Sequence, residues 1–410
     1  MDIVADGKRV LLRPRQNKQL LKGYPWVFRD QIRAVEGEPR TGDVVAIVDD
    51  SGHTHGLGLF HESSLIAIRF LTRAMDAVLD PAFFERRLAR ALELRRQVFG
   101  DSSHFRWVFS ESDGLPGTIV DRYGDVVCWS SLCAGIDQRK DLLLDAIERL
   151  TRPTAIVERN DHWLRAKDSL PESHGVSRGS LKNPVRIEEH GLKFEVDVLE
   201  GPKTGFFLDQ RIHREVIRRF ANGRSVLDVF CADGGFGLNA AAGGAKSVHC
   251  VDVAAGALQR ARNNAALNGF QSRMSFEECD ALERLGELAG RPDTYDLVIL
   301  DPPAFAKSRR HVEAATGAYQ SININALRLL PEGGVLATSS CSQAIDEKAF
   351  WSIVRYSARL AGCTIRLLYR GGQPPDHPVL PSMPETHYLK FYVVQKMADE
   401  LPFSSKKDEG

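Results

Sequence analysis

The chain has no surplus of either charge: 54 Lys and Arg stand against 54 Asp and Glu over 410 residues, a formal net charge of +0. A protein that coats nucleic acid along its whole surface needs a basic excess, so that class is excluded. The 7 cysteines include no Cys-x-x-Cys pair and no Cys/His cluster at zinc spacing. Neither a disulfide framework nor a structural metal is indicated, no metal is expected, and the compartment is expected to be reducing. No apolar run approaches the roughly 20 residues that span a bilayer. Met1-Asp2-Ile3-Val4-Ala5-Asp6 lacks the charged and apolar regions of a signal peptide, so the cytoplasm is the expected location. With 43% hydrophobic and 26% charged positions, the chain is read as globular with room for two or three cores.

Three regions follow one another. Residues 1–73 read as all-β. Arg9-Val10-Leu11-Leu12, residues 42–48, a turn at Asp49-Asp50-Ser51-Gly52 and residues 65–70 are short runs separated by turn signals, which predicts a small barrel. Its start is locally basic, with Arg13, Arg15 and Lys18 close to Tyr24-Pro25-Trp26-Val27-Phe28. Cations interleaved with aromatics can meet phosphates and bases together, although a solvated face over core aromatics would have the same composition.

Asp80-Pro81 opens a helix to about Gly100, with Asp80 as N-cap and Pro81 at the first helical position. This helix carries Arg86, Arg87, Arg90, Arg95 and Arg96, more than solvation requires. The rest of a central α+β region, 74–188, holds a hairpin at 118–129, a helix at 138–150 and a strand at 155–158. A Ser-, Gly- and Pro-bearing stretch between Lys167 and Asn183 reads as a loop or linker.

From 189 to 398 strands and helices alternate, with strands at 225–230, 247–252, 274–276, 296–300, 335–338, 364–368 and 388–395. That pattern predicts an α/β, doubly wound, mainly parallel Rossmann-like sheet, followed by a flexible tail at 399–410. Cys231-Ala232-Asp233-Gly234-Gly235-Phe236-Gly237 follows the first strand but lacks the spaced glycines of a dinucleotide site. Asp252 ends the second strand and Asp280 the third. Glycines admit a close backbone approach, and a strand-end acid can accept hydrogen bonds from ribose hydroxyls. A nucleoside cofactor follows; no phosphate site is required, so S-adenosylmethionine fits as well as NAD, and Asp301-Pro302-Pro303 after the fourth strand favours the methyl donor. Residues 203–211 read as a further cover for that cofactor, or more simply as a helix entry capped by Asp209.

In an open parallel sheet the carboxyl ends of strands border the ligand crevice. Asp301-Pro302-Pro303-Ala304-Phe305 and Ser339-Ser340-Cys341-Ser342 both follow such strands, so a carboxylate and a thiol are expected to face one substrate. Cysteine is the side chain best suited to adding to an unsaturated carbon at neutral pH, while a carboxylate can hold the nitrogen edge of a pyrimidine. The pairing points to cytosine chemistry. An isolated Cys341 would be read as an ordinary buried thiol.

Residues 203–211, the glycine loop, Asp301 to Phe305, Ser340-Cys341-Ser342, Asp376-His377-Pro378-Val379 and Tyr388-Leu389-Lys390 resemble the bacterial 23S ribosomal RNA cytosine-C5 methyltransferases that carry an N-terminal PUA domain. Pro25-Trp26-Val27-Phe28 and Glu111-Ser112-Asp113-Gly114-Leu115-Pro116-Gly117 extend the resemblance over almost the whole chain. It implies a PUA domain at 1–73, a central domain beside the RNA path, and a class I methyltransferase domain using S-adenosylmethionine. It also implies 23S ribosomal RNA, naked or in an assembling large subunit, as partner, and allows a homodimer.

With the resemblance, Cys341 is expected to add to cytosine C6 and Asp301 to hold or protonate N3. The expected cofactor set is Asp209, Gln210, Phe230, Asp233, Gly234, Gly235, Phe236, Asp252, Asp280, Asp301 and Pro302, and the RNA set is Arg13, Arg15, Lys18 and Lys307. Ala232-Asp233 departs from the Tyr-Thr that the family pattern has before the glycine pair, and Asp233 is expected to meet the ammonium of the cofactor instead. A related branch that methylates a purine nitrogen looks Asn-containing at Ser340 to Ser342, which makes Cys341 the discriminating residue. Two further classes compete with these enzymes: a non-catalytic RNA-binding ribosome-assembly protein, disfavoured by the intact Asp301, Cys341 and glycine loop, and an NAD-dependent oxidoreductase, disfavoured by the unspaced glycines.

Overall fold

The computed structural model describes residues 7–291, 295–306 and 309–397. The chain forms two compact units. One comprises 1–187 with the segments Val196–Leu208 and Pro375–Thr386; the other comprises Glu188–Glu195, Asp209–Pro374 and His387–Gly410. The predicted tail at 399–410 and Lys307 lie outside the described residues. Among the described residues no helix is long and apolar enough to cross a membrane, and no group of three or more His, Cys, Asp or Glu is placed to hold a metal ion.

The first unit contains two sheets. β1 (Arg9–Leu12), β2 (Trp26–Phe28), β3 (Ile32–Glu36), β4 (Val44–Val48), β5 (Thr54–Phe60) and β6 (Ile66–Thr72) form a six-stranded sheet in the order β2-β6-β5-β4-β1-β3. β1 runs parallel to β4 and the other neighbours are antiparallel. Branched residues at alternate positions turn inward, so Val10, Leu12, Val27, Ile47 and Ile68 make one core. β7 (His104–Phe109), β8 (Thr118–Tyr123), β9 (Val126–Ser131), β10 (Ala155–Asn160) and β11 (Ser173–Gly179) form the second sheet in reverse chain order. β9 and β10 are parallel, which requires the crossover supplied by the helix Lys140–Thr151.

The helix Pro81–Phe99 shares a core with this sheet through Phe84, Leu88, Trp107 and Val120. Its start is as predicted, with the Asp80 side chain accepting the Phe83 N–H at 2.7 Å. The stretch 167–183 departs from the linker expectation, because β11 pairs antiparallel with β10 over its length. Ser and Gly carry little intrinsic strand preference, so a neighbouring edge had to impose the strand. The arginine excess on the helix is partly internal. Arg95 is 0% exposed and pairs with Asp113 through both Nη atoms at 2.6 and 2.7 Å, while Arg87 donates to the Gly114 and Leu71 carbonyls. Arg86 and Arg90 are exposed.

After a two-stranded sheet of β12 (Val185–Glu189) and β13 (Leu192–Val196), the second unit is built on seven strands. They are β14 (Ser225–Val229), β15 (Ser247–Asp252), β16 (Met274–Glu278), β17 (Leu297–Leu300), β18 (Val335–Ser340), β19 (Thr364–Gly371) and β20 (Lys390–Met397). Their order is β16-β15-β14-β17-β18-β20-β19. β14 to β18 are parallel, and β20 is antiparallel to both its neighbours. β17 and β18 are buried along their whole length, as strands covered on both faces must be. The chain runs outward from β14 to β16 and then returns to β17, which places the topological switch point between β14 and β17.

Candidate active site

The carboxyl ends of β14, β15, β17 and β18 deliver the predicted residues to one edge of this sheet. After β14 the backbone turns sharply: Phe230, Ala232 and Gly234 have φ of 65°, 46° and 78°. Two of these are not glycine, and such strain persists where the surroundings enforce it, commonly at ligand sites. Gly234 precedes the helix Gly235–Ala242, and a Cβ on it would lie 3.0 Å from the Ala261 Cβ. At Gly235 a Cβ would meet the Arg214 Cδ at 2.8 Å. Gly234 is therefore favoured by its left-handed turn and its close neighbour, and Gly235 by the close approach of Arg214.

Asp252 ends β15 half-buried, with one carboxylate oxygen accepting from the Ala232 N–H and the other from the Ala254 N–H, both at 2.9 Å. The carboxylate is thereby fixed, and each oxygen retains a lone pair for a hydroxyl. Val253 beside it is 68% exposed, an apolar face left uncovered at the rim. A fixed carboxylate, an uncovered apolar residue and a tight glycine turn fit an adenosine-bearing cofactor.

The other members of the expected cofactor set have partners within the chain. Asp280 caps the helix Ala281–Leu288, its Oδ1 accepting from the Leu282 and Glu283 N–H groups. Asp233 is 2% exposed and its Oδ1 accepts from the Arg260 Nε at 2.8 Å. Phe230 meets Phe305 edge to face, Phe236 stacks on Phe391, and Pro302 is buried. Asp209 lies in the turn before the helix Arg211–Ala221, whose N-cap position is Gln210, and its Oδ2 accepts from the Tyr388 hydroxyl at 2.7 Å. The carboxylate is used over distance along the chain, which no local signal announces.

β17 and β18 are paired through Leu300 and Thr338, so Asp301 and Ser339 emerge side by side. The Ser339 hydroxyl donates to Asp301 Oδ1, and Gln210 Nε2 donates to the same oxygen at 2.7 Å. Gln210 is held by His213, whose Nδ1 lies 2.6 Å from the Gln210 Oε1 and whose ring stacks 4.2 Å from Phe391. Burial lowers the pKa of His213 to about 3. The ring is therefore neutral, and its Nδ1–H donates to the Gln210 carbonyl, which turns the amide nitrogen toward Asp301.

Cys341 follows, half-buried, between two serines held by one phenol. The Ser340 hydroxyl donates to the Tyr319 oxygen at 3.0 Å, and Tyr319 lies 3.0 Å from the Ser342 Oγ, to which its own proton is then directed. Ser342 Oγ also accepts the Ala306 N–H at 3.2 Å, tying the Cys341 loop to the segment after Asp301. Lys390 on β20 closes the loop from the other side, donating from Nζ to the Ser342 carbonyl at 2.7 Å. Neither Tyr319 nor His213 was marked by sequence: the serines that Tyr319 holds and the Phe391 ring on which His213 stacks are far away along the chain. Lys390 had a signal, a cation inside the apolar run 389–394.

Asp228, in the middle of β14, is the other functional-looking residue that sequence left unmarked. It is 0% exposed and accepts the Gly237 N–H at 2.8 Å, fastening the glycine helix to the strand. Burial above all, and then Asp301 and Asp252, raise its pKa to about 8 against an opposing effect of the Gly237 bond. In the unfolded chain an aspartate titrates near about 3.9. The folded state therefore binds the extra proton between these values, so stability falls as pH rises from about 4 to about 8. Asp228→Asn should lack this part of the slope while still accepting the Gly237 N–H. Urea unfolding of both proteins at pH 5 and pH 8 tests it, and equal slopes would show that Asp228 is not held protonated.

Comparison with known proteins agrees with this geometry. Residues 140–390 match the model of the S-adenosylmethionine-dependent methyltransferase family, and residues 10–73 match a PUA-like domain. The chain is 38% identical to the ribosomal RNA large subunit methyltransferase I of Shewanella denitrificans over 94% of its own length and 99% of the relative's. It is 37% identical to the protein of the same name from Alteromonas mediterranea over 95% and 99%. Among solved structures, a methyltransferase complexed with SAH superposes with a TM-score of 0.82 at 19% identity, covering 94% of this chain and 99% of that one, and so shares the fold. The chain belongs to the S-adenosylmethionine-dependent methyltransferase family, together with the relatives named ribosomal RNA large subunit methyltransferase I, and carries a PUA-like domain.

Proposed function

We propose that this enzyme methylates C5 of a cytosine in 23S ribosomal RNA through a covalent bond between Cys341 and C6. The observation that carries this reading is a half-exposed thiol, clamped between two serines, on the strand end next to a carboxylate. The relatives are named for the large ribosomal subunit's RNA, which supports the substrate class.

Cytosine C5 is too electron-poor to attack a methyl sulfonium directly. Attack of the Cys341 thiolate on C6 forms the S–C6 bond and moves the ring electrons toward C5, while Asp301 holds or protonates N3. S-adenosylmethionine supplies the methyl group as an electrophilic sulfonium. C5 takes the methyl; a base then removes the C5 proton, and the freed electron pair restores the C5–C6 double bond and expels the thiolate. Asp252 would hold the ribose of the cofactor. The base has to leave any stack to reach Cys341, which costs a few kcal/mol and favours an unpaired site in the RNA.

RNA in which the target cytosine carries fluorine at C5 cannot lose that position as a proton, so it should remain bonded to Cys341. A denaturing gel, with mass spectrometry of the Cys341 peptide, reads the adduct. Turnover conditions that give methyl transfer to ordinary RNA but no adduct would favour methylation of a purine nitrogen.

Phosphate contacts are assigned to Arg13, Arg15 and Lys18, which are all exposed. Replacing the three with Gln should weaken RNA binding and reduce the slope of log affinity against log salt by about one unit per lost contact. Unchanged affinity and slope would make this stretch a solvated face.

A further inference from the structure

Lys390 is 3% exposed and pairs with Ser340 in the antiparallel ladder, directly across from the residue before Cys341. Its Nζ donates to the carbonyls of Ser342 and Tyr388 at 2.7 and 2.8 Å. Those two bonds fix the nitrogen beside the Cys341 loop, and an ammonium has a third proton to give.

Burial brings its pKa down to about 8, and the anionic form of Cys341, followed by Asp346 and Glu347, acts in the opposite direction. The amine thus keeps its proton at neutral pH and loses it above about 8. Asp301 lies on the neighbouring strand end, and the Tyr319 hydroxyl, raised by burial, holds the serines on either side of the thiol.

We propose that Lys390 is the cation that holds Cys341 as its thiolate, and that it thereby lowers the pH at which the nucleophile becomes ready. The proposal rests on Cys341 being the nucleophile, but its test does not depend on methyl transfer. The thiol proton passes to solvent, Lys390 keeps its own, and no proton moves between them during addition to C6. Below the thiol's pKa the sulfur is protonated, and above that of Lys390 the cation is lost, so the ion pair exists between the two. Lys390 acts through Cys341 and is a positioning residue.

The rate of iodoacetamide alkylation at Cys341, read by mass spectrometry of its peptide in the full-length protein from pH 5 to 10, reports the thiolate directly. In Lys390→Met the midpoint should move up by about 1 to 3 pH units, with alkylation at pH 7 slower by roughly tenfold or more. Lys390→Arg should keep the wild-type midpoint, and cofactor affinity near wild type shows that each variant is folded. Coincident profiles in wild type and Lys390→Met would reduce Lys390 to a strap on the loop and overturn the proposal. The wild-type profile decides even if the variant does not fold: a midpoint at or above the ordinary thiol value of about 8.5 overturns it. A shifted profile without a fluorocytosine adduct would retire the covalent reading and leave the ion pair standing; an adduct with coincident profiles would retire the ion pair alone.

Discussion

Cys341→Ala should lose methyl transfer by roughly 10⁴-fold or more while binding S-adenosylmethionine near wild type, because a nucleophile's removal eliminates the step that creates a reactive C5. In the proposed mechanism the thiol acts on the base and not on the donor, so the two quantities separate. Cys341 sits between Ser340 and Ser342 on the loop after β18, whereas the residues that fit the cofactor follow β14 and β15. The alanine opens no large cavity, since Cys341 is half-buried and the Tyr319 bonds to the flanking serines remain. Transfer of labelled methyl groups to RNA, with calorimetry of cofactor binding, reads both quantities. A variant that keeps substantial activity would end the covalent mechanism; one that loses cofactor affinity in parallel would mean that the loop serves the donor.

Arg95→Met should cost about 3 to 5 kcal/mol of stability, the range for removing one partner of a buried ion pair. Arg95 is 0% exposed, and the Asp113 side chain is 5% exposed, so the carboxylate left behind would have no water to replace the guanidinium. The same guanidinium donates to the Asp376 carbonyl at 2.7 Å and, through Nε, to the Arg106 carbonyl at 2.8 Å, and both acceptors would also lose this donor. Adding Asp113→Asn to the variant should restore part of the loss, because the uncompensated charge is then gone. Urea unfolding of the two single variants and the double variant measures the coupling. A loss under about 1 kcal/mol for Arg95→Met would mean that the pair behaves like an exposed one.

Residues 25–28 and 111–117, which carry part of the resemblance, are also held by buried polar contacts. Glu111 accepts from the Trp26 Nε1 and from Arg69, each at 2.7 Å, and burial of Glu111 is outweighed by these donors, so its pKa lies below the usual range. Asp376 accepts the Arg106 N–H and lies 2.9 Å from the His377 Nδ1. Trp26, Glu111, Asp113 and Asp376 are thus bound to one another or to buried arginines. A motif search by itself has no means of separating that role from contact with RNA.

What the sequence by itself determined was the order of elements and the edge at which chemistry gathers. Period and length mark β14, β15, β17 and β18 as buried strands, and parallel strands expose their carboxyl ends together, so Asp252, Asp301 and Cys341 could be assigned to one edge from local pattern alone. Asp80-Pro81 likewise announced its helix, because a cap acts on residues three positions away. What only the tertiary structure decided depends on partners distant in the chain. The strand within 167–183 exists because β10 offers an edge, Asp209 answers Tyr388 from far along the chain, and Arg95 lies inside a core and not on a solvated face. The surroundings of the thiol are of this kind too: Tyr319 arrives from a helix, Lys390 from an antiparallel strand, and Gln210 from a helix entry. Their residue types carry no local periodicity; only the burial that folding imposes makes each of their hydrogen bonds necessary.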